Sequence, residues 1–270
     1  MKDSKSAPRI FAVVNQKGGV GKTTTTVNLA TALAAVRKRV LVIDFDPQGN
    51  ASTGLGIAGN NRALTSYDLV MGETNIAEAV QATAVPGLSI IPATIDLTGA
   101  EIEMVSLIKR EFRLKQAIEA AGGNYDYILI DCPPSLGLLT INSLVASDAV
   151  IIPLQCEFYA LEGLSHLVRT IELVRGNLNP ELAIQGIVLT MYDKRNKFTE
   201  QIEREVRDYF GDRVYSSVIP RNVRMSEAPS HGKPALIYDM HCAGSRAYIQ
   251  LASELLKRER ARKKELIQAA

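Results

Sequence analysis

Short runs of wholly apolar residues recur along this chain, and segments with helical periodicity separate them. Strands that are apolar on both faces are typical of a parallel sheet that helices cover on both sides. The alternation therefore predicts an α/β fold, a single domain with a mostly parallel, twisted sheet and helices on both faces. The apolar runs lie at 10–14, 40–43, 88–91, 127–130, 149–152, 184–189 and 214–219. The helical patterns cover 22–36, 110–121, 160–176, 199–210 and 245–266, and a capping-box pattern of Thr98 and Glu101 opens another.

The composition is that of an ordinary globular protein, with 270 residues of which 46% are hydrophobic and 22% charged. No apolar run reaches the roughly 18 residues that a membrane-spanning helix needs. Residues 1–8 are polar, which is unlike a signal peptide. The cysteines, scattered at Cys132, Cys156 and Cys242, form neither a disulfide framework nor a CxxC pair. We therefore expect a cytoplasmic protein in a reducing compartment.

The charge is nearly balanced, because 31 basic and 29 acidic side chains give a net charge of +2. The basic residues are nevertheless concentrated in the last third of the chain. Such a distribution predicts a basic face on a weakly charged protein. The three groups are the run at 257–264, the set Lys194, Arg195 and Lys197, and the pair Arg221 and Arg224.

A glycine-rich loop, NQKGGVGKTT at 15–24, follows the first apolar run and leads into a helix. Glycines let backbone N–H groups turn toward one point, and the helix N-terminus adds the positive end of its dipole. The loop is therefore predicted to bind the phosphates of a nucleotide, with Lys22 on the β- and γ-phosphates and the Thr23 hydroxyl on Mg²⁺. It departs from the pattern GxxxxGK[ST] at Gln16, and Thr24 stands where a dinucleotide-binding fingerprint has its third glycine.

Lys17 is an additional cation at the start of this loop. It has no role in holding the phosphates of its own loop. We interpret it as a second cation aimed at charge in the transition state, which would resemble an arginine finger if it acted across a dimer.

Three aspartates follow apolar runs that we predict to be strands. Asp44 and Asp46 end the segment VLVIDFD, and Asp131 ends YILID. A carboxylate at the end of a buried strand is a Walker-B-like arrangement, and Mg²⁺ prefers one or two carboxylates together with water and phosphate oxygens. These residues therefore predict a magnesium-nucleotide site at the carboxyl edge of the sheet.

The motifs KGGVGKTT, DFDPQGN and IDCPPS, in this order, resemble those of the deviant Walker A ATPases. Two further segments, PLQCEFYALEGL at 153–164 and IPRNVRMSEAPSHGKP at 219–234, make the chain similar to the ParA/Soj-type partition ATPases. The resemblance covers roughly residues 9–256. This range is predicted to be a P-loop ATPase domain, and the sequence outside it predicts a flexible tail at 1–8 and a basic helix end at 257–270.

The resemblance also implies roles for individual residues, with ATP and Mg²⁺ as the cofactors. The catalytic residues would be Lys17, Lys22 and Asp46, where Lys17 reaches the nucleotide of a partner subunit and Asp46 positions the attacking water. Thr23, Asp44 and Asp131 would surround the metal, and Arg195 and Arg224 would bind DNA. The nucleotide-binding residues would be Lys17, Gly18, Gly19, Val20, Gly21, Lys22, Thr23 and Thr24 in the loop, and Pro220 and Asn222 at the adenine.

The partners implied by the family are a second copy of the chain, double-stranded DNA without sequence preference, and a ParB-like centromere-binding protein. The expected location is the cytoplasm, on the nucleoid, and no membrane is expected as a partner. Whether the cargo is a chromosome or a plasmid stays open at this point.

Three other functions share this nucleotide loop. A MinD-like membrane switch would need a stronger apolar stripe in the C-terminal helix than Leu255, Leu256, Leu266 and Ile267 provide. An iron–sulfur reductase component would need cysteines at a dimer interface, whereas Cys132 and Cys156 are predicted to be buried near strand ends. A metabolic ATP-dependent ligase is a third alternative, for which no substrate-pocket motif is present.

Overall fold

The computed structural model describes residues 7–120 and 124–269, so most of the predicted tail at 1–8 lies outside the described residues. Within these ranges the chain forms a seven-stranded sheet in the order β3-β4-β2-β5-β1-β6-β7. All neighbouring strands are parallel except the edge pair β3 and β4. The strands are β1 (Arg9–Val13), β2 (Val40–Asp44), β3 (Gln81–Ala82), β4 (Leu88–Ile91), β5 (Tyr127–Asp131), β6 (Ala149–Gln155) and β7 (Ala183–Thr190).

Helices connect the strands and cover the sheet. The α-helices of the described chain are α1 (Lys22–Ala35), α2 (Asn50–Gly54), α3 (Ser66–Met71), α4 (Ile76–Ala79), α5 (Leu97–Glu103), α6 (Arg113–Ala120), α7 (Leu138–Ala146), α8 (Ala160–Asn177), α9 (Lys197–Phe210), α10 (Val223–Glu227), α11 (Ala235–Tyr238) and α12 (Ala243–Ala269).

The central strands are buried on both faces because helices pack on each side of the sheet, and successive side chains of a strand point to opposite sides. In β1, Phe11 and Val13 belong to one apolar cluster, and Ala12 belongs to the other. The first cluster packs against α1, α11 and α12, and the second against α7, α8 and α9. The predicted fold, a mostly parallel sheet with helices on both faces, is confirmed.

The predicted strand at 214–219 is wrong. This segment makes only isolated bridges, between Val214 and Ile187 and between Pro220 and Tyr192, as far as the described residues show. The physical reason lies in α12, where the Glu254 carboxylate accepts hydrogen bonds from the backbone N–H groups of Ser216 (2.9 Å) and Ser217 (3.0 Å). These donors are thereby turned away from β7, and a continuous ladder cannot form.

The predicted capping box at Thr98 is also wrong, since α5 begins at Leu97 and its N-cap residue Asp96 makes no side-chain cap. A capping box occurs instead at the start of α3, where Thr65 and Asp68 bond reciprocally. Thr and Asp at this spacing offer the same pair of acceptors to the free N–H groups of the first turn.

The last helix, α12, runs without interruption from Ala243 to Ala269. The predicted boundary between 256 and 257 therefore falls inside one helix. Two basic residues of the run at 257–264 are engaged in the fold. The Arg258 guanidinium lies 4.0 Å from the centre of the Tyr215 ring, and Arg262 pairs with the buried Glu259, which also pairs with Arg9.

Candidate nucleotide-binding site

The glycine-rich segment at 15–24 follows β1 and runs into the first turn of α1, which begins at Lys22. Gly19 and Gly21 have φ angles of +75° and +89°, a conformation that a side chain would strain. Gly21 is the N-cap residue of α1, and no side chain caps the helix there. The free N–H groups of the first helical turn therefore point into the loop, which makes this helix end a site for an anion.

Lys22 is enclosed by the loop. Its side chain is almost fully buried, and its Nζ atom donates a hydrogen bond to the Lys17 carbonyl oxygen at 3.0 Å. Burial lowers the pKa of Lys22, while the nearby charges of Asp131 and Asp46 act in the opposite direction. A buried ammonium group that a single carbonyl holds is well placed to bind phosphate oxygens.

Asp44 and Asp131 end neighbouring parallel strands in the same register, so their carboxylates meet at the carboxyl edge of the sheet. Val13, the last residue of β1, is the register partner of Asp131 on its other side. Asp131 accepts hydrogen bonds from the hydroxyls of Thr23 (2.7 Å) and Thr26 (2.9 Å). The predicted metal residues Thr23, Asp44 and Asp131 are thus brought together.

Asp44 is fully buried, and Ser52 supplies two of its hydrogen bonds, from the backbone N–H (2.8 Å) and from the hydroxyl (2.6 Å). Asp46 lies two residues further on and is also buried. One of its carboxylate oxygens accepts from the Gln48 N–H at 3.0 Å. This places a second carboxylate within the electrostatic reach of Lys22.

The buried carboxylates have unusual titration properties. Burial, together with the Asp44 charge, raises the pKa of Asp131 to about 8, and burial raises the pKa of Asp44 to about 6. Ionising both of two adjacent carboxylates that are buried away from water has a large free-energy cost. A divalent cation would remove this repulsion, so the donor set fits Mg²⁺.

No group of three or more His, Cys, Asp or Glu side chains within residues 7–120 and 124–269 forms a ready-made metal site. A magnesium ion held at Thr23, Asp44 and Asp131 would take its remaining ligands from water and phosphate oxygens.

A groove of about 390 Å³ opens beside the loop. Gly21 and Thr24 line one side, and Pro220 and Asn222 line the other. Asn222 also caps α10, since its Oδ1 atom accepts from the Arg224 N–H at 2.9 Å. Pro220 and Asn222, which were predicted to contact the adenine, thus lie next to the phosphate loop. The groove between them has the size that a ligand needs.

Lys17 points out of the loop. Its side chain is 48% exposed, and its Nζ atom pairs with the Glu157 carboxylate, which follows β6. In this single chain, therefore, the Lys17 ammonium group serves neither its own loop nor the buried carboxylates.

The two arginines that were predicted to bind DNA lie on neighbouring segments of the chain. Arg195 follows β7, and Arg224 lies in α10. Backbone hydrogen bonds join these segments, from Tyr192 N–H to Ile219 O (2.9 Å) and from Arg221 N–H to Tyr192 O (3.2 Å). Both arginines are more than half exposed and lie beyond the carboxyl end of β7.

Three contacts at the site were not predicted from the sequence. Ser52 and Thr26 hold the buried carboxylates, and Glu157 holds Lys17. Thr26 carries a signal in the sequence, because it lies one helical turn after Lys22 on the same face of α1. Glu157 lies within the segment at 153–164 that carries the resemblance, but nothing in the sequence pairs it with Lys17, which is 140 residues away.

Cys132 and Cys156 are buried near strand ends, as predicted. In α12, Leu255 and Leu256 pack against the core, whereas Leu266 and Ile267 are exposed. Among the helices of the described residues, none combines the length and the apolar character that crossing a membrane requires.

Comparison with known proteins identifies close relatives of this chain. Residues 8–184 match the family model of the AAA domain. The chain is 61% identical to the chromosome partitioning protein ParA of Caulobacter vibrioides strain NA1000 / CB15N, over 94% of this chain and 96% of the relative. It is 57% identical to the sporulation initiation inhibitor protein Soj of Bacillus subtilis strain 168, over 92% of this chain and 98% of the relative.

A solved structure with a similar fold is the cobyrinic acid a,c-diamide synthase of Mycobacterium smegmatis with bound ATP analogue and magnesium. It has a TM-score of 0.83 and 35% identity, and the match covers 94% of this chain and 96% of that chain. Sequence identity is much higher to the partitioning proteins and extends over nearly the whole chain, in agreement with the motif order. The chain therefore belongs to the ParA/Soj family of chromosome-partitioning ATPases.

Proposed function

We propose that this protein is an ATP-dependent switch that segregates DNA. In this proposal, two ATP-bound copies form a sandwich dimer, and the dimer binds duplex DNA without sequence preference. A ParB-like partner then stimulates hydrolysis, which releases the DNA. The observation that carries the proposal is the convergence of Lys22, Thr23 and Asp131 at the open N-terminus of α1.

The loop residues Gly18 to Thr24 and the side chain of Lys22 would hold the triphosphate, and Pro220 and Asn222 would contact the adenine. Thr23, Asp131 and Asp44 would hold Mg²⁺, which neutralises charge on the phosphoryl group when bound. The similar synthase structure, with its bound ATP analogue and magnesium, supports this assignment.

Asp46 would position the water that attacks the γ-phosphate. One of its oxygens is occupied by the Gln48 N–H, which fixes the carboxylate and leaves the other oxygen to accept a hydrogen bond from water. Orientation of the nucleophile is the main contribution that a side chain can make in phosphoryl transfer.

Lys17 would supply the contact between subunits. Because its ammonium group points away from its own loop toward Glu157, it is free to exchange that carboxylate for the phosphates of a facing subunit. Nucleotide binding and pairing of two copies would then depend on one another.

Arg195 and Arg224 would contact DNA phosphates, and Arg221, whose backbone N–H bonds to Tyr192 O, lies in the same region. Phosphate contacts carry little sequence information, which agrees with binding along a whole nucleoid. If each subunit makes about three such contacts, a dimer makes about six and loses roughly a thousandfold in affinity between about 50 and 200 mM salt. A single subunit with half the contacts binds far more weakly.

The decisive experiment measures binding of a random-sequence duplex across a salt series, with ATP, with ADP and without nucleotide. We expect a steep salt dependence with ATP and weak binding in the other two states. Equal binding in all three states would contradict the switch.

Asp46→Ala serves as the second arm of this experiment. It should bind ATP and stay on DNA, because hydrolysis no longer ends the bound state. Rapid ATP turnover by this variant would remove the assigned role of Asp46.

A further inference from the structure

Carboxylates of the chain itself already hold the arginines that we assign to DNA. Asp193 binds Arg195 through both ends of the guanidinium fork, at 3.0 Å to Nε and 2.8 Å to Nη2. Asp193 also accepts the Arg195 backbone N–H at 3.0 Å, which fixes the turn between the two residues. These contacts hold the pKa of Asp193 at about 2, so the carboxylate is ionised at neutral pH.

Arg224 is held in a similar way. Its Nη1 atom lies 2.9 Å from the Glu227 carboxylate, one helical turn further along α10, and its Nε atom lies 3.6 Å from Asp239. Arg221 lies near enough to Asp193 to contribute to the low pKa of that carboxyl. Each of these three arginines thus has an acidic neighbour within the same protomer.

We propose that Asp193 and Glu227 act as clamps that compete with DNA phosphates for Arg195 and Arg224 and so set the threshold for DNA binding. The inference rests on the proposed function and adds its regulation. A single protomer would bind DNA too weakly to stay, because the phosphate contacts of Arg195 and Arg224 each have to displace an internal carboxylate. A pair of protomers would make twice as many phosphate contacts, and the dimer would then stay on DNA.

The Asp193 clamp can open because it faces water. The Arg195 side chain is 88% exposed and that of Asp193 31% exposed, and exposed ion pairs of this kind are weak. A phosphate group presents two oxygens to the guanidinium fork in the same way as a carboxylate does. A DNA phosphate can therefore take the place of the Asp193 carboxylate at the guanidinium group.

Opening the clamp also has a cost. The displaced carboxylate stays within the same loop, only two residues from Arg195, and its negative charge then faces the DNA phosphate. At this short range, salt screens the repulsion only weakly. The clamps therefore lower DNA affinity in every nucleotide state.

The test compares the ATP-bound proteins Asp193→Asn and Glu227→Gln with wild type, on a random-sequence duplex over a salt series. Asparagine keeps one acceptor oxygen for the Arg195 backbone N–H, while it removes the charge and the second acceptor of the guanidinium fork. The matched control is Asp212→Asn, an exposed aspartate in the turn Gly211–Arg213 near the opposite end of β7. Light scattering on each sample gives the oligomeric state, so that affinities are compared per dimer.

We expect Asp193→Asn and Glu227→Gln each to tighten DNA binding by about tenfold near 150 mM salt, and to bring DNA binding in ADP into the measurable range. Asp212→Asn should bind like wild type. If both clamp variants match Asp212→Asn, the clamp proposal is overturned while the proposed function stands. If wild type and all variants fail to bind DNA with ATP, both are overturned.

A double variant separates a clamp from general repulsion. In an Arg195→Ala background, Asp193 has no guanidinium to hold, so Asp193→Asn should tighten binding by less than about twofold. An undiminished tenfold gain in that background would show that Asp193 acts only through its charge on DNA, and the clamp would be refuted.

Discussion

Asp131 accepts two threonine hydroxyls in a buried site and lies beside Asp44. An aspartate in an unfolded chain has a pKa of about 4, whereas burial raises that of Asp131 to about 8 in the folded protein. The folded state then binds more protons than the unfolded state between these values. Consequently, the free energy of unfolding of the magnesium-free protein falls as the pH rises through this window.

We therefore expect Asp131→Asn to reduce the loss of stability between about pH 5 and pH 8 in the absence of magnesium and nucleotide. The measurement is urea denaturation at several pH values. Asp212→Asn, which changes an exposed carboxyl, should keep the wild-type slope. An Asp131→Asn protein with the full wild-type pH dependence would show that the buried carboxyl is ionised throughout.

At the scale of single residues, the sequence predicted the site residues that belong to motifs. It did not predict the residues that reach the site only because the chain folds. The loop lysine and the strand-end aspartates stand at fixed positions beside glycines and apolar runs, so local pattern indicates them. Ser52 lies two residues after DFDPQGN, and Glu157 lies inside PLQCEFYALEGL, yet neither residue indicates its contact by a local pattern. Only the fold brings Ser52 to Asp44 and Glu157 to Lys17. The functional roles of the site residues stay predictions.

Among the elements, α12 determines how the far edge of the sheet ends. Its Glu254 accepts the N–H groups of Ser216 and Ser217 and the Ser217 hydroxyl, and pairs with Arg258. Helical periodicity predicts α12 itself. It says nothing about which distant backbone the helix will bind, which is why an apolar run at 214–219 was wrongly predicted to be a strand.

Glu254→Ala should lower the free energy of unfolding by about 2 kcal/mol, because it leaves two backbone donors and an arginine without their charged partner. Urea denaturation at neutral pH gives the value. Glu265→Ala, an exposed glutamate of the same helix, should change stability by less than about 0.5 kcal/mol. Equal losses in the two variants would mean that water replaces Glu254 at no cost.

For the whole molecule, the fold was predictable because apolar strands and intervening helices are both local patterns. The edge strand β3, only two residues long, was beyond such reasoning. Pairing of two copies depends on surface residues that would contact the second copy. Lys17 is the residue on which our proposal for that assembly depends.

Lys17→Ala should retain ATP binding and lose ATP-dependent pairing, because the cation that would reach the facing nucleotide is absent. Light scattering with and without ATP measures the pairing, and a fluorescent ATP analogue measures binding. Lys197→Ala removes an exposed lysine at the start of α9 and should pair normally. Normal pairing of Lys17→Ala would disprove the role of this lysine.

The hydrogen bond from Lys22 to the Lys17 carbonyl, together with the bonds from Asn15 to Pro153 and from Thr190 to Val20, builds the phosphate cradle in advance. A preorganised cradle gives up little chain entropy when its ligand arrives. When a nucleotide binds, a phosphate oxygen then replaces the Lys17 carbonyl oxygen as the acceptor of the fixed Lys22 ammonium group. We accordingly expect capture to be fast, so that the slow events of the cycle come after it.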